Sequence, residues 1–297
     1  MGKLSRTMSL MRASWEVLKQ DKELLVFPLL SGILCMLVLA SFALPVLGTV
    51  DWQAAGEGMA ASASQAVGRS DAALTAERAV RMLWMFLFYV SSYFVIIFFN
   101  AGLVACAEIR MEGGDPTVGD GLRAAWHRVG AIAGWALIAG TVGMLLRATE
   151  ERSSFMGRIV AGLLGMAWSM VSFLVVPILV IENEGPISAL KRSTRMLKGT
   201  WGEQIIGNFS FGLIFLLLAL PGIALLVTGF AAQSVVVIVL AVLYLVVMAL
   251  AQSALQGIFQ AALYLYMRDG KPPQGFDSAE LEASVGMSAQ PTAYPSW

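Results

Sequence analysis

Apolar residues in this chain fall into long runs separated by short basic segments of helical period, and the alternation repeats. In ENEGPISALKRSTRMLKGTWGEQII, residues 182–206, Leu190, Thr194, Leu197 and Trp201 recur at i, i+4, i+7 and i+11, beside a stripe of Lys191, Arg195 and Lys198 flanked by Arg192. That pattern predicts an amphipathic helix, apolar on one side and cationic on the other, suited to the headgroup layer of a bilayer. Pro186 marks its start, where a missing N–H is tolerated. Leu122, Trp126, Val129 and Ala133 keep the same spacing behind Pro116, with Arg123 and His127 on the polar side; Met11, Trp15 and Leu18 keep it again, beside Arg12, Glu16 and Lys19. Each of these segments is followed by an apolar run opening with ELLVF, GWALI or GEQII, and every second run ends in MEGGDP, ENEGP or MRDGKP. Similarity at both ends of the unit reads as an internal repeat.

The apolar runs predict six spans, at about residues 24–48, 82–107, 131–146, 159–181, 205–227 and 235–267, each judged against the roughly 20 residues needed to cross a hydrocarbon core of about 30 Å. The third is short. The sixth, at about 1.5 Å per residue, is roughly 50 Å long and has to tilt, break or project. The first run exceeds the apolar stretch of a signal peptide, about 7–15 residues, and is read as a span. Between spans one and two the Ala, Ser and Gly-rich stretch 51–70 is expected to be a mobile connector, with residues 71–81 extending the second helix outward. Residues 271–297, with Pro272 and Pro273, are expected to form a disordered cytoplasmic tail. The fold class is therefore an all-α membrane protein: one domain over residues 1–270, made of three parallel repeats of an amphipathic interfacial helix plus two spans.

Composition strengthens the class. Charged residues are only 13% against 58% hydrophobic, where soluble domains carry roughly a quarter charged residues. Net charge is zero, so no global field points to nucleic acid. With the N-terminus inside, Lys and Arg concentrate in the first segment and around Arg123, Lys191, Arg192, Arg195 and Lys198, which by the positive-inside rule puts both termini in the cytoplasm. Arg12, Lys19, Arg123, Lys191, Arg192, Arg195 and Lys198 are then the expected contacts to anionic headgroups.

Within the runs, Gly157, Ala161, Gly165 and Ser169 form a ladder of small residues for close helix packing, and Gly257 lies in a second ladder with Ala249, Ser253 and Ala261. Gln252, Gln256 and Gln260 share one face beside it, and laying MEGG over MRDG brings Asn100 into register with Gln256. Amides are costly against lipid, so these four are the candidate polar intramembrane site; interhelical hydrogen bonding and a polar cavity or headgroup site both fit. No ionisable residue lies near the middle of a span, which counts against a proton-driven pump. No HExxH, G-x-S-x-G or Walker loop occurs. Both cysteines, Cys35 and Cys106, sit in apolar runs, and no metal or cofactor is expected. His127 reads as a solvated surface histidine, and Arg147, Glu150, Glu151 and Arg152 as a solvated ion-pair group in a loop after span three.

DKELLVFPLLS (Asp21 to Ser31), FFNAGLVACA (Phe98 to Ala107), GGDPTVGDGLRAA (Gly113 to Ala125) and NEGPISALKRS (Asn183 to Ser193) resemble a family of uncharacterised prokaryotic integral membrane proteins, over about residues 8 to 270. Gly185 to Ser193 is more distantly similar to the membrane domain attached to some bacterial glycerophosphodiester phosphodiesterases, whose catalytic barrel has no counterpart here. The resemblance implies a prokaryotic cytoplasmic membrane and carries no activity. The expectation is a non-enzymatic lipid-interacting or scaffolding protein, with a membrane protein partner or a second copy as possible company. The alternative is a transporter or channel whose polar path passes Asn100 and the glutamines, and a membrane enzyme stands third.

Overall fold

The computed structural model describes residues 3–49, 71–152, 155–197, 201–277 and 281, and all regular structure in them is helical. Helix α1 (Lys3–Gln20) buries Leu10, Val17 and Leu18 and exposes Arg12, Trp15 and Glu16. Asp21 ends it and caps the 3-10 turn Lys22–Leu25 by accepting from the Glu23 N–H, after which α2 (Val26–Thr49) and α3 (Asp71–Met111) form the first pair of long helices. Thr117 caps α4 (Val118–His127). There follow α5 (Val129–Arg152), α6 (Phe155–Val171) and the short α7 (Val175–Ile181). Finally come α8 (Pro186–Leu197), α9 (Trp201–Ala231) and α10 (Val235–Asp269), which Gly270 terminates in the left-handed conformation with φ 66°. Among the described residues, six helical segments are long and apolar enough to cross a membrane.

Burial divides the bundle into two layers. In one, large apolar side chains are exposed from Leu29 to Leu44 on α2, Val80 to Leu87 on α3, Met156 to Met166 on α6, Leu216 to Phe230 on α9 and Val235 to Val247 on α10. In the other, the same helices and the short ones close on each other. Leu24 and Phe27, the end of α3 from Ala101 to Ala107, α7 from Val175 to Leu179 and α10 from Ile258 to Met267 are buried there, with Leu10, Val17 and Leu18 of α1. Small residues permit this closeness. Gly121 of α4 lies so near α3 that an added Cβ would stand 2.6 Å from the Gly102 carbonyl oxygen and 2.6 Å from Cys106 Sγ.

Several features differ from the sequence reading. Helix α5 continues through Arg147, Glu150, Glu151 and Arg152 instead of ending in a loop before them, because a helix does not stop where its hydropathy does. The fourth apolar run is broken at 172–174 into α6 and α7. Helix α10 is unbroken over 35 residues, about 52 Å at 1.5 Å per residue. The buried faces of α4 and α8 are rotated from the expected stripes. On α8 they are Ala189, Ser193 and Leu197, and on α4 Gly121 and Ala125, whereas Trp126 is 68% exposed. The first part of the expected disordered tail is packed: the Gln274 N–H donates to the Met111 carbonyl at 3.4 Å, and Phe276 and Leu281 are buried. The whole connector, 51–70, and the tail residues 278–280 and 282–297 lie outside the described residues.

Candidate functional site

The break in the fourth run follows from Pro177. Its nitrogen carries no hydrogen, so the carbonyl of Phe173, four residues earlier, loses its helical donor. Gln260 of α10 supplies the replacement, its Nε2 donating to the Phe173 carbonyl oxygen. The Oε1 of the same amide accepts from Asn100 Nδ2 of α3 at 3.3 Å. The Leu174 N–H, also freed by the break, donates to Ser193 Oγ of α8 at 3.3 Å. Gln260 and Ser193 are two of the few buried polar side chains among the described residues. One interruption thus ties together α3, α7, α8 and α10, and each amide involved is accounted for.

Beside this junction lies a cavity of about 240 Å³, its polar lining supplied by Ser31, Asn100, Ser253, Gln256 and Gln260. The candidate amides therefore separate. Asn100 meets Gln260, one helical turn from the Gln256 that the motif alignment matched to it. Gln256 is exposed toward the cavity and has no hydrogen-bond partner among the described residues, while Gln252 is half-buried and lines another part of α10. Gly257 fixes the register: an added Cβ there would run into Leu103 and stand 3.1 Å from Asn100 Oδ1. The lining offers neutral donors and acceptors and no titratable group. It suits water or a neutral polar moiety, and proton transfer would find no acid or base there.

Around the end of the packed layer runs a ring of ion pairs that the sequence reading did not assign. Tyr264 donates to Glu182, which pairs with Arg192 at 2.6 Å, and Arg192 reaches Glu184 at 3.3 Å. Arg128 donates to the Leu179 and Glu184 carbonyls at 2.9 and 3.1 Å, capping the C-terminal end of α7. Arg268 meets Glu108 at 3.2 Å, Glu112 at 3.4 Å and Asp269 at 2.7 Å, and Arg110 bridges Asp21 at 3.4 Å and Asp115. The signal was present in the recurring MEGGDP, ENEGP and MRDGKP ends, whose acidic and basic residues supply much of this ring.

The cations expected at headgroups fare differently. Arg12, Lys191 and Arg195 are exposed. Lys19 pairs with Glu16 at 2.8 Å and Arg123 with Asp120 at 3.8 Å, both in the open. Arg192 is taken by Glu182 and Glu184, and Lys198 lies outside the described residues. Asp120 also closes a capping box, accepting from the Thr117 hydroxyl at 2.6 Å and backbone N–H at 3.0 Å. Those hydrogen bonds hold its carboxyl below the usual carboxylate range. Of the small ladder on α6, Ala161 is buried, Gly157 and Gly165 are half-buried and Ser169 is exposed; Ala161 and Gly165 border a second cavity of about 390 Å³ with Tyr93, Arg147, Glu150 and Trp168. No cluster of metal-ligating side chains occurs among the described residues.

Six apolar helices, an interrupted fourth run and a ring of ion pairs at one end define a multi-pass helical membrane protein. The chain belongs to the Family of unknown function (DUF6159), which matches it over residues 79–275. No curated protein matches it.

Proposed function

We propose that this is a non-enzymatic, lipid-interacting protein of a prokaryotic cytoplasmic membrane, with three parallel repeats, both termini cytoplasmic, and a collar of amphipathic helices that acts on or scaffolds at the inner leaflet. The observation that carries this reading is the two-layer burial. The exposed apolar stretch of α2, Leu29 to Leu44, is about 24 Å long, and that of α9, Leu216 to Phe230, about 22 Å, close to the hydrocarbon thickness of about 30 Å. The hydrocarbon edge then falls near Pro28, Asn100 and Gln256. The remainder of α10, down to Asp269, stands in the collar, which reconciles its 35 residues with a single crossing. Gln256, unpartnered, meets headgroups or water at that edge instead of lipid tails. Trp15 and Trp126, with Arg12, Arg123, Lys191 and Arg195, are exposed on the collar helices, and this reading makes them the interfacial aromatic and basic anchors.

A second reading, a transporter or channel, is favoured by the interrupted helix beside a polar cavity, a combination that recurs in transport proteins. Site-directed spin labels test the first reading. With Cys35 and Cys106 replaced by Ala, labels at Gln256→Cys and Val246→Cys in lipid vesicles are compared for collision with a water-soluble nickel chelate and with oxygen. Interfacial values at 256 and hydrocarbon values at 246, ten residues or about 15 Å further along α10, are expected; equal depth at the two positions sinks the placement. Solute flux from proteoliposomes that disappears on Gln256→Leu would move the function to transport.

A further inference from the structure

We propose that the cleft between α1 and the α9–α10 hairpin is a specific site for one anionic phospholipid, its phosphate on Arg12 and an acyl chain in the cleft. The proposal rests on the lipid-facing reading of the bundle given above. The cleft has a volume of about 500 Å³, within the range of about 300–1,000 Å³ of small-molecule sites. Met8, Met11 and Trp15 form one wall, and Phe215, Leu218 and Met248 the other. Met8 and Leu218, 61% and 44% exposed, open the cleft to the side, while Phe215 and Leu255 close its back. Thioether and aromatic walls adapt to a flexible chain.

Charge selects the head. Arg12 stands at the rim, exposed, and has no carboxylate within ion-pair distance among the described residues. Three arginines of the collar differ from it: Arg110, Arg192 and Arg268 each face at least two acidic oxygens, while Arg195, exposed like Arg12, does not line the cleft. Depth fits as well. Leu218 and Met248 adjoin the exposed apolar layer, whereas Leu10 and Val17, flanking Arg12 on α1, are buried in the packed layer. The cation therefore lies at the hydrocarbon edge with an apolar channel running inward from it. An amphiphile with an uncompensated phosphate, such as phosphatidylglycerol, complements both parts, and a zwitterionic head brings its own cation.

Native mass spectrometry of protein released from nanodiscs of equal phosphatidylglycerol and phosphatidylcholine tests this. Wild type should retain one phosphatidylglycerol per chain. Arg12→Gln should lower that retention about fivefold, the effect of one basic charge near an anionic surface, Arg12→Lys should restore most of it, and Ala251→Trp should abolish it by filling the cleft. Lys271→Gln, an exposed cation away from the cleft, should leave it unchanged. Equal retention of the two lipids, no loss in Arg12→Gln, or the same loss in Lys271→Gln overturns the site. If Ala251→Trp fails to fold, the arginine variants decide alone. Interfacial spin-label values at 256 with unchanged retention in Arg12→Gln remove the site and leave the placement standing; hydrocarbon values at 256 remove the placement itself.

Discussion

Gln260→Met keeps length and volume but removes both of the hydrogen bonds that tie the interrupted fourth run to α10. The Asn100 link is one interhelical bond between neutral side chains, worth about 0.6 kcal/mol on average in membrane proteins and at most about 1.7. The Phe173 link matters more, because it satisfies a carbonyl that Pro177 has deprived of its own donor; a buried acceptor left orphaned costs about 1–3 kcal/mol. The sum predicts a loss of about 2–4 kcal/mol, measured by steric trapping in bicelles, with Asn100→Ala costing only about 1 kcal/mol. A third variant tests the cause. Pro177→Ala returns an N–H four residues after Phe173, so Gln260→Met should cost at least 1 kcal/mol less in that background. Equal costs with and without Pro177 would refute the account in which the proline frees the carbonyl that Gln260 binds.

Gly121→Ala should destabilise the bundle by about 1–3 kcal/mol or more, and Cys106→Ala should not rescue it, since the Gly102 carbonyl, a backbone atom, remains in the way at 2.6 Å; a melting temperature within a degree of wild type would contradict the packing described. The capping box gives a pH dependence of known sign. The Asp120 carboxyl is held below its ordinary value, so its contribution is complete above about pH 4 and is lost as pH falls through the lower folded value. Amide exchange at Val118–Gly121 should therefore differ between wild type and Asp120→Asn near neutrality and converge in strong acid, and a difference that grows on acidification would reverse the sign.

Six helices long and apolar enough to cross a membrane, among the described residues, were legible because a run of about 20 apolar residues has few other uses. Interior geometry was harder to read, for identifiable reasons. The break at 172–174 was signalled by Pro177, but the run around it, SFLVVPILV, is apolar throughout, and hydropathy registers depth while saying nothing of continuity. The faces of α4 and α8 were assigned by the largest apolar residues, whereas close approach selects the smallest: Gly121, Ala125, Ala189 and Ser193 go inward and Trp126 outward. The partner of Asn100 came out one turn away because helix register is set by Gly257 seating against Leu103, which no motif alignment contains. Gln256, Gln260 and Asn100 were nonetheless singled out together, since amides in apolar runs are conspicuous, and they do border one cavity.

Helix α1 leaves the ribosome before the other helices described, yet it packs on α10, the last long one of them. Leu10, Val17 and Leu18, buried in the finished molecule, have no seat until residues 254–267 have been made. At about 5–20 residues per second that interval is roughly 12–50 seconds. For that time α1 has its contacts with the 3-10 turn and α3, and its seat on α10 closes after the intervening helices have been made.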